Sequence, residues 1–168
     1  MKTLLLLRHA KSSWGDSSAR DFDRPLAPRG IGDAPLIGRA LQRRGPAPDL
    51  ILSSPALRAT QTLEAVVKAA GLMVSPKFDQ DIYGASSAEL LEIVRRIPAA
   101  SMCAMVVGHN PGFAELVSRL TDTSQDMPTA ALACIEFQIE SWADLQDGGG
   151  KLAWLITPKF LADKGSTD

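Results

Sequence analysis

Four leucines in a row, Leu4 to Leu7, followed at once by Arg8-His9, constrain the fold of this chain more than any other stretch. A run this short cannot cross a bilayer, which needs about 20 apolar residues. It suits a strand buried on both faces, the kind found in a sheet covered by helices. A strand that stops at Arg-His delivers both side chains to the C-terminal edge of such a sheet, where open α/β folds place their sites. The chain has two histidines. The second lies in Met105-Val106-Val107-Gly108-His109-Asn110-Pro111-Gly112, again an apolar run that ends in histidine. Two scarce residues in the same local context predict neighbouring strands that bring both imidazoles to one pocket.

The rest of the chain alternates strand and helix over its first two-thirds. Ser12 to Arg24 is polar and aperiodic, which reads as a loop over the first strand's end. Ile31, Ala34, Ile37, Ala40 and Leu41 recur at helical spacing, predicting a helix over 31–44 stopped by Gly45-Pro46. Asp49 to Leu52 reads as a strand and Pro55 to Ala70 as a helix closed by Gly71. A strand over 73–77, limited by Pro76, leads through an acidic turn to a helix over 87–97 with Ser87 as its cap. Met102 to Val107 is the fourth strand, with a helix from Phe113 to Leu120 behind it. Leu132 to Glu140 and Lys151 to Thr157 then predict an antiparallel hairpin at one side of the sheet. The expected fold is α/β, a single-domain, mainly parallel sheet flanked by helices on both faces, with the domain over 1–160 and a tail over 161–168.

Charge bounds the partners. Lysines and arginines (18) nearly balance aspartates and glutamates (19), so no global field draws nucleic acid or an anionic membrane, and neither is expected as a partner. Cys103 and Cys134 sit inside apolar runs, which suits buried free thiols. The N-terminus has no signal-peptide core, and the expected location is the cytoplasm. No metal-ligand cluster or nucleotide motif appears, so neither metal nor cofactor is expected.

Three strand ends therefore present Arg8-His9, Ser53 to Arg58, and His109 to one edge. Two arginines and two histidines in one pocket suit a phosphoryl group. Arginine's planar fork binds phosphate oxygens pairwise, and helix N-termini add backbone N–H donors. No serine or cysteine has the flanks of an activated nucleophile, but histidine can attack phosphorus itself. Positive neighbours keep its ring neutral and stabilise the transition state.

Arg8-His9 after the leucine strand, Ser54-Pro55-Ala56-Leu57-Arg58-Ala59-Thr60-Gln61-Thr62, and Gly108-His109-Asn110 together resemble the histidine phosphatase superfamily, the group that includes phosphoglycerate mutases. Arg8 to Trp14, Asp23-Arg24-Pro25-Leu26 and Val107 to Gly112 look most like its SixA-type phosphohistidine phosphatases. The resemblance implies a phosphoglycerate mutase-like fold without a large lid insertion. It implies His9 as nucleophile, Arg8 and Arg58 as phosphate ligands, and His109 as a residue that hydrogen-bonds the phosphoryl oxygens. The chain departs from the pattern at Ala10 and Lys11, where glycine and glutamate are usual, and at Gly15 for an asparagine. Lys11 adds positive charge at the mouth. The family's acid has no clean match among Asp79, Asp81, Glu89 and Glu92; Asp81, in the acidic turn, is the candidate proton donor. A phosphohistidine substrate would tolerate that gap, because imidazole is a weak base compared with a sugar alkoxide.

The expected function is a metal-independent phosphatase acting on phosphohistidine displayed by another protein. Its rivals are a phosphatase for small phosphorylated substrates and a non-catalytic phosphate-recognition module. Ser53 and Ser54 are read as turn or cap residues, Asn110 as a turn residue, Trp142 and Trp154 as packing. Trp14 is left between pocket rim and packing.

Overall fold

The leucine run is β1 (Lys2–Arg8), and Leu4 to Leu7 are wholly buried. Parallel β4 (Cys103–Gly108) lies on one side of it, with Leu7 opposite Val107 and Arg8 opposite Gly108. Antiparallel β5 (Leu132–Phe137) lies on the other, with Leu7 opposite Leu132. Because strand side chains alternate, Leu4 and Leu6 enter one apolar core and Leu5 and Leu7 the other. Burying each leucine is worth about 2 kcal/mol, so this segment anchors both faces.

The structure is a computed structural model and describes residues 1–165. Around β1 the sheet adds β2 (Leu50–Ser53), β3 (Lys77–Phe78) and β6 (Gly150–Ile156), in the order β3-β2-β4-β1-β5-β6. The β5–β6 hairpin supplies the antiparallel edge, and the rest is parallel. Helices α1 (Pro28–Arg44) and α2 (Leu57–Ala70) cover one face through Ile37, Leu41, Leu63 and Val66. Helices α3 (Ser87–Arg95) and α4 (Gly112–Thr121) cover the other through Leu90, Val94, Phe113 and Leu116. Among the described residues, no helix is long and apolar enough to cross a membrane.

Several expected boundaries move, each for a local reason. The third strand shrinks to Lys77–Phe78, paired with Leu52 and Ser53, because Pro76 has no N–H for the ladder. The α3 cap is Ser86, one residue before the expected Ser87. Its hydroxyl accepts the Glu89 N–H while the Glu89 carboxylate accepts the Ser86 N–H, a reciprocal capping box. Helix α2 starts at Leu57 rather than Pro55, since Ala56 is still extended. Trp142 sits in a 3-10 turn after β5, fully buried, with its indole N–H on the Ser101 carbonyl. The expected tail over 161–168 is helical as far as Gly165, in α5 (Pro158–Gly165), with Leu161 packed on the core; the rest of it lies outside the described residues.

Candidate active site

The ends of β1, β2 and β4 meet where the sheet's register puts them. Beyond Arg8 and Gly108 the ladder continues for one more bond, from the His9 N–H to the Gly108 carbonyl at 3.0 Å. That bond brings the His9 and His109 rings to 5.2 Å between centroids, tilted by 53°. Gly108 is required here, since a Cβ would lie 2.6 Å from the Phe113 ring. Both histidines are buried.

The His9 Nδ1 stands 2.7 Å from the Ala10 carbonyl oxygen. A carbonyl only accepts, so Nδ1 carries the proton and Nε2 keeps a free lone pair. Burial pushes the His9 imidazole down to about 4, with Arg58, Arg8 and Arg24 adding positive charge against protonation. Burial, then His9 and Arg58, push His109 down to about 3. Both rings are neutral at neutral pH. The His109 Nε2 lies 2.7 Å from Ser54 Oγ.

Arg8 donates through Nη1 to the Met127 carbonyl at 2.9 Å, an oxygen that also accepts from Asn110 Nδ2. Arg58 donates Nη1 to the Asp21 backbone oxygen and Nη2 to its carboxylate, at 2.7 and 3.0 Å. Three buried side-chain atoms lack a partner among the described residues: Arg8 Nε, Arg58 Nε and His109 Nδ1. Buried polar atoms are nearly always paired, so three orphans, from the ends of β1 and β4 and the first turn of α2, mark where an electron-rich group belongs. A phosphoryl group has the charge and the oxygens to pair with them.

The structure brings His9, His109, Arg8 and Arg58 together. It leaves Asp81 exposed on a 3-10 turn, its N–H on Asp79, with no side-chain bond to the other four. Sequence reasoning passed over the residues that hold the pocket. Asp21, in the loop after β1, accepts from Arg58, from Arg24 Nε at 3.2 Å and from the Tyr83 hydroxyl at 2.6 Å. Tyr83 and the guanidiniums of Arg58 and Arg24 hold the Asp21 carboxyl down to about 2. The Tyr83 phenol is raised by the same bond, and its ring packs edge-on against His109. Arg24 is buried and stacks 3.5 Å from the centre of the Trp14 ring, which is itself 73 % exposed. Thr62 Oγ1 accepts the Ala10 N–H and donates to the Arg58 carbonyl, tying the two arms of the pocket together. Trp14, Arg24 and Thr62 lay in quoted motifs without a role assigned to them in the pocket's framework; Asp21 and Tyr83 lay in none. The cysteine thiols are free and buried, pushed up to about 12 and 11, and lie in the core rather than the site. Among the described residues, no group of three or more His, Cys, Asp or Glu could hold a metal ion.

The profile of the histidine phosphatase superfamily (branch 1) matches residues 4–82. An uncharacterized protein of Mycobacterium tuberculosis is 35% identical, over 91% of this chain and 100% of its own length. Among solved structures, a protein assigned to the SixA phosphohistidine phosphatases of Nakamurella multipartitia is similar at a TM-score of 0.81. It is 29% identical, with 94% of this chain and 96% of that one covered. The protein histidine phosphatase SixA complexed with tungstate is similar at 0.76, with 25% identity and 95% and 99% covered. With motifs, sheet order and pocket in agreement, the chain belongs to the histidine phosphatase superfamily, as a phosphatase of the SixA type.

Proposed function

We propose that this phosphatase works through phospho-His9 and that its substrate is phosphohistidine on another protein. His9 Nε2 attacks phosphorus, the bond to the leaving nitrogen breaks, and the electron pair departs with the substrate imidazole. Water then attacks phospho-His9, releasing inorganic phosphate, restoring the ring and shedding its proton to phosphate or solvent. Arg8, Arg58 and His109 bind the phosphoryl oxygens throughout. The observation that carries the reading is the His9 ring, held as the Nδ1–H form and kept neutral beside two arginines.

The substrate class follows from the acids at hand. Asp21 stays ionised with its carboxyl at about 2, so it cannot protonate a leaving group at neutral pH. A phosphohistidine ring protonated at its distal nitrogen leaves as neutral imidazole and needs no such acid. The likeness to SixA structures supports the same class. Asp81 is the donor we assign for phosphoesters, whose alkoxides do need a proton. Asp81→Asn then lowers ester hydrolysis by about 100-fold or more and spares phosphohistidine; equal loss on both substrates would remove Asp81 from that role.

The test is phosphate release from a phosphohistidine peptide, in chelator, by the intact protein and by His9→Ala. Release by the first and not the second is expected. Turnover that vanishes in chelator would overturn the metal-independent mechanism, and faster turnover of a small phosphoester would overturn the substrate class.

A further inference from the structure

Ser54 forms the last turn before α2 and is wholly buried, so its hydroxyl cannot meet a ligand in the pocket. Its Oγ nevertheless has two hydrogen-bond partners, the Ala56 N–H at 3.2 Å and His109 Nε2 at 2.7 Å. A hydroxyl has one proton to give and two lone pairs to receive. The Ala56 N–H takes one lone pair. The proton needs an acceptor, and the imidazole nitrogen is the one within reach. His109 is neutral, so its ring carries a single proton. If Nε2 accepts from Ser54, that proton sits on Nδ1, which is buried without a partner, as are the Nε atoms of Arg8 and Arg58. All three orphans are then donors. The opposite assignment strands the serine proton and leaves the Nδ1 lone pair without a donor, so two buried groups go unpaired instead of one.

We infer that Ser54 is a positioning residue: its hydroxyl donates to His109 Nε2 and locks the ring as the Nδ1–H tautomer, so that His109 donates a neutral hydrogen bond to the phosphoryl oxygen. The inference rests on the reading of His109 as a phosphoryl ligand. Two backbone-anchored devices thus set the two rings. The Ala10 carbonyl puts the His9 proton on Nδ1 and leaves Nε2 as the reacting atom. The Ser54 hydroxyl puts the His109 proton on Nδ1 and makes that same atom the donor. The rings share a tautomer and turn opposite edges to the ligand, one to give electrons and one to give a hydrogen bond.

The test reads the tautomer directly, by long-range proton–nitrogen correlation on the intact, ligand-free protein near pH 7, with His9→Ala used to assign the two rings. The expected result is a protonated, pyrrole-type Nδ1 and a pyridine-type Nε2 for His109. A protonated Nε2 overturns the inference. In Ser54→Ala the His109 signals should shift toward a mixture of tautomers. Its kcat should fall between about 10- and 100-fold, the range met when the partner orienting a functional imidazole is removed, with KM changed much less. A folded Ser54→Ala with unaltered tautomer and kcat overturns the inference as well. The wild-type spectrum decides even if that variant does not fold. Because the spectrum needs no substrate, failure of phosphohistidine turnover would sink the proposed function alone, and the reversed tautomer would sink this inference alone.

Discussion

At Arg58 both Nη atoms are occupied by Asp21, and Nε is left for a ligand. A lysine has three donors but they radiate from one compact ammonium, which cannot reproduce the planar fork that grips Asp21 on one side and presents Nε on another. Arg58→Lys should therefore lower kcat/KM on the order of 100-fold, read by steady-state kinetics. Its urea midpoint should barely move, since the Asp21 side chain is half exposed and water can replace the lost partner. The two imidazoles carry a separate prediction. Their ordinary value of 6.5 is lowered to about 4 and 3, so an unfolded chain binds more protons than the folded one across that interval. Stability accordingly rises with pH from about 4 to 6.5 and is lost as pH falls through the same window. Neither imidazole C–H resonance should titrate above pH 5, which proton spectra would check; titration near 6.5 would contradict the burial of the pair. Residues legible in the sequence were those whose type is scarce, His9 and His109, or which stand in a dense motif, Arg8 and Arg58. Asp21 is a common residue type in an ordinary loop, Ser54 sits at a motif's edge where a turn or cap explains it, and Tyr83, although the one tyrosine of the chain, stands in a turn with no motif around it. Their roles arise from neighbours 37 and 62 positions from Asp21 and 55 from Ser54, which no local pattern encodes.

Among the elements, α3 owes its start to the Ser86–Glu89 box. Ser86→Ala should cost about 1 kcal/mol in denaturant unfolding and leave kcat unchanged, because α3 supplies no pocket residue. Helix α1 has the opposite character. Its Gly30 lies so close to the segment after His9 that an added Cβ would stand 2.2 Å from the Lys11 carbonyl oxygen. Backbone cannot yield as a side-chain tip can. Gly30→Ala should therefore destabilise by about 1–3 kcal/mol and, unlike Ser86→Ala, lower activity by pushing the Ala10–Lys11 segment that sets the His9 ring. The strands that carry the site were readable because β1, β2 and β4 are short apolar runs that end in polar residues. The capping serine and the third strand were misplaced for a reason of scale. Which of two adjacent serines caps a helix, and where a ladder resumes after Pro76, turn on single hydrogen bonds rather than on hydrophobic period.

For the whole molecule, the sheet order makes β4 and β1 the two central strands, so the pocket grows from the enclosed middle of the sheet. Inorganic phosphate, binding the folded state alone, should raise the melting temperature by mass action, and Arg8→Ala should abolish the rise in a thermal scan. The backbone around the pocket divides in a way that such a scan cannot see. The Arg8 N–H is bonded to Ala131 and the His9 N–H to Gly108, inside the layer sealed by both cores. The segment carrying Trp14 and Asp21 is mostly exposed and meets the pocket through the side chains of Arg24, Arg58 and Tyr83. Solvent deuterium should thus replace the amide protons of the Asp21 segment quickly, and those of Arg8 and His9 only when the entire domain opens. The attacking group stands on the slowest-opening part of the protein, and one of its arginines is steadied by one of the fastest, so a ligand can reshape the mouth without loosening the nucleophile.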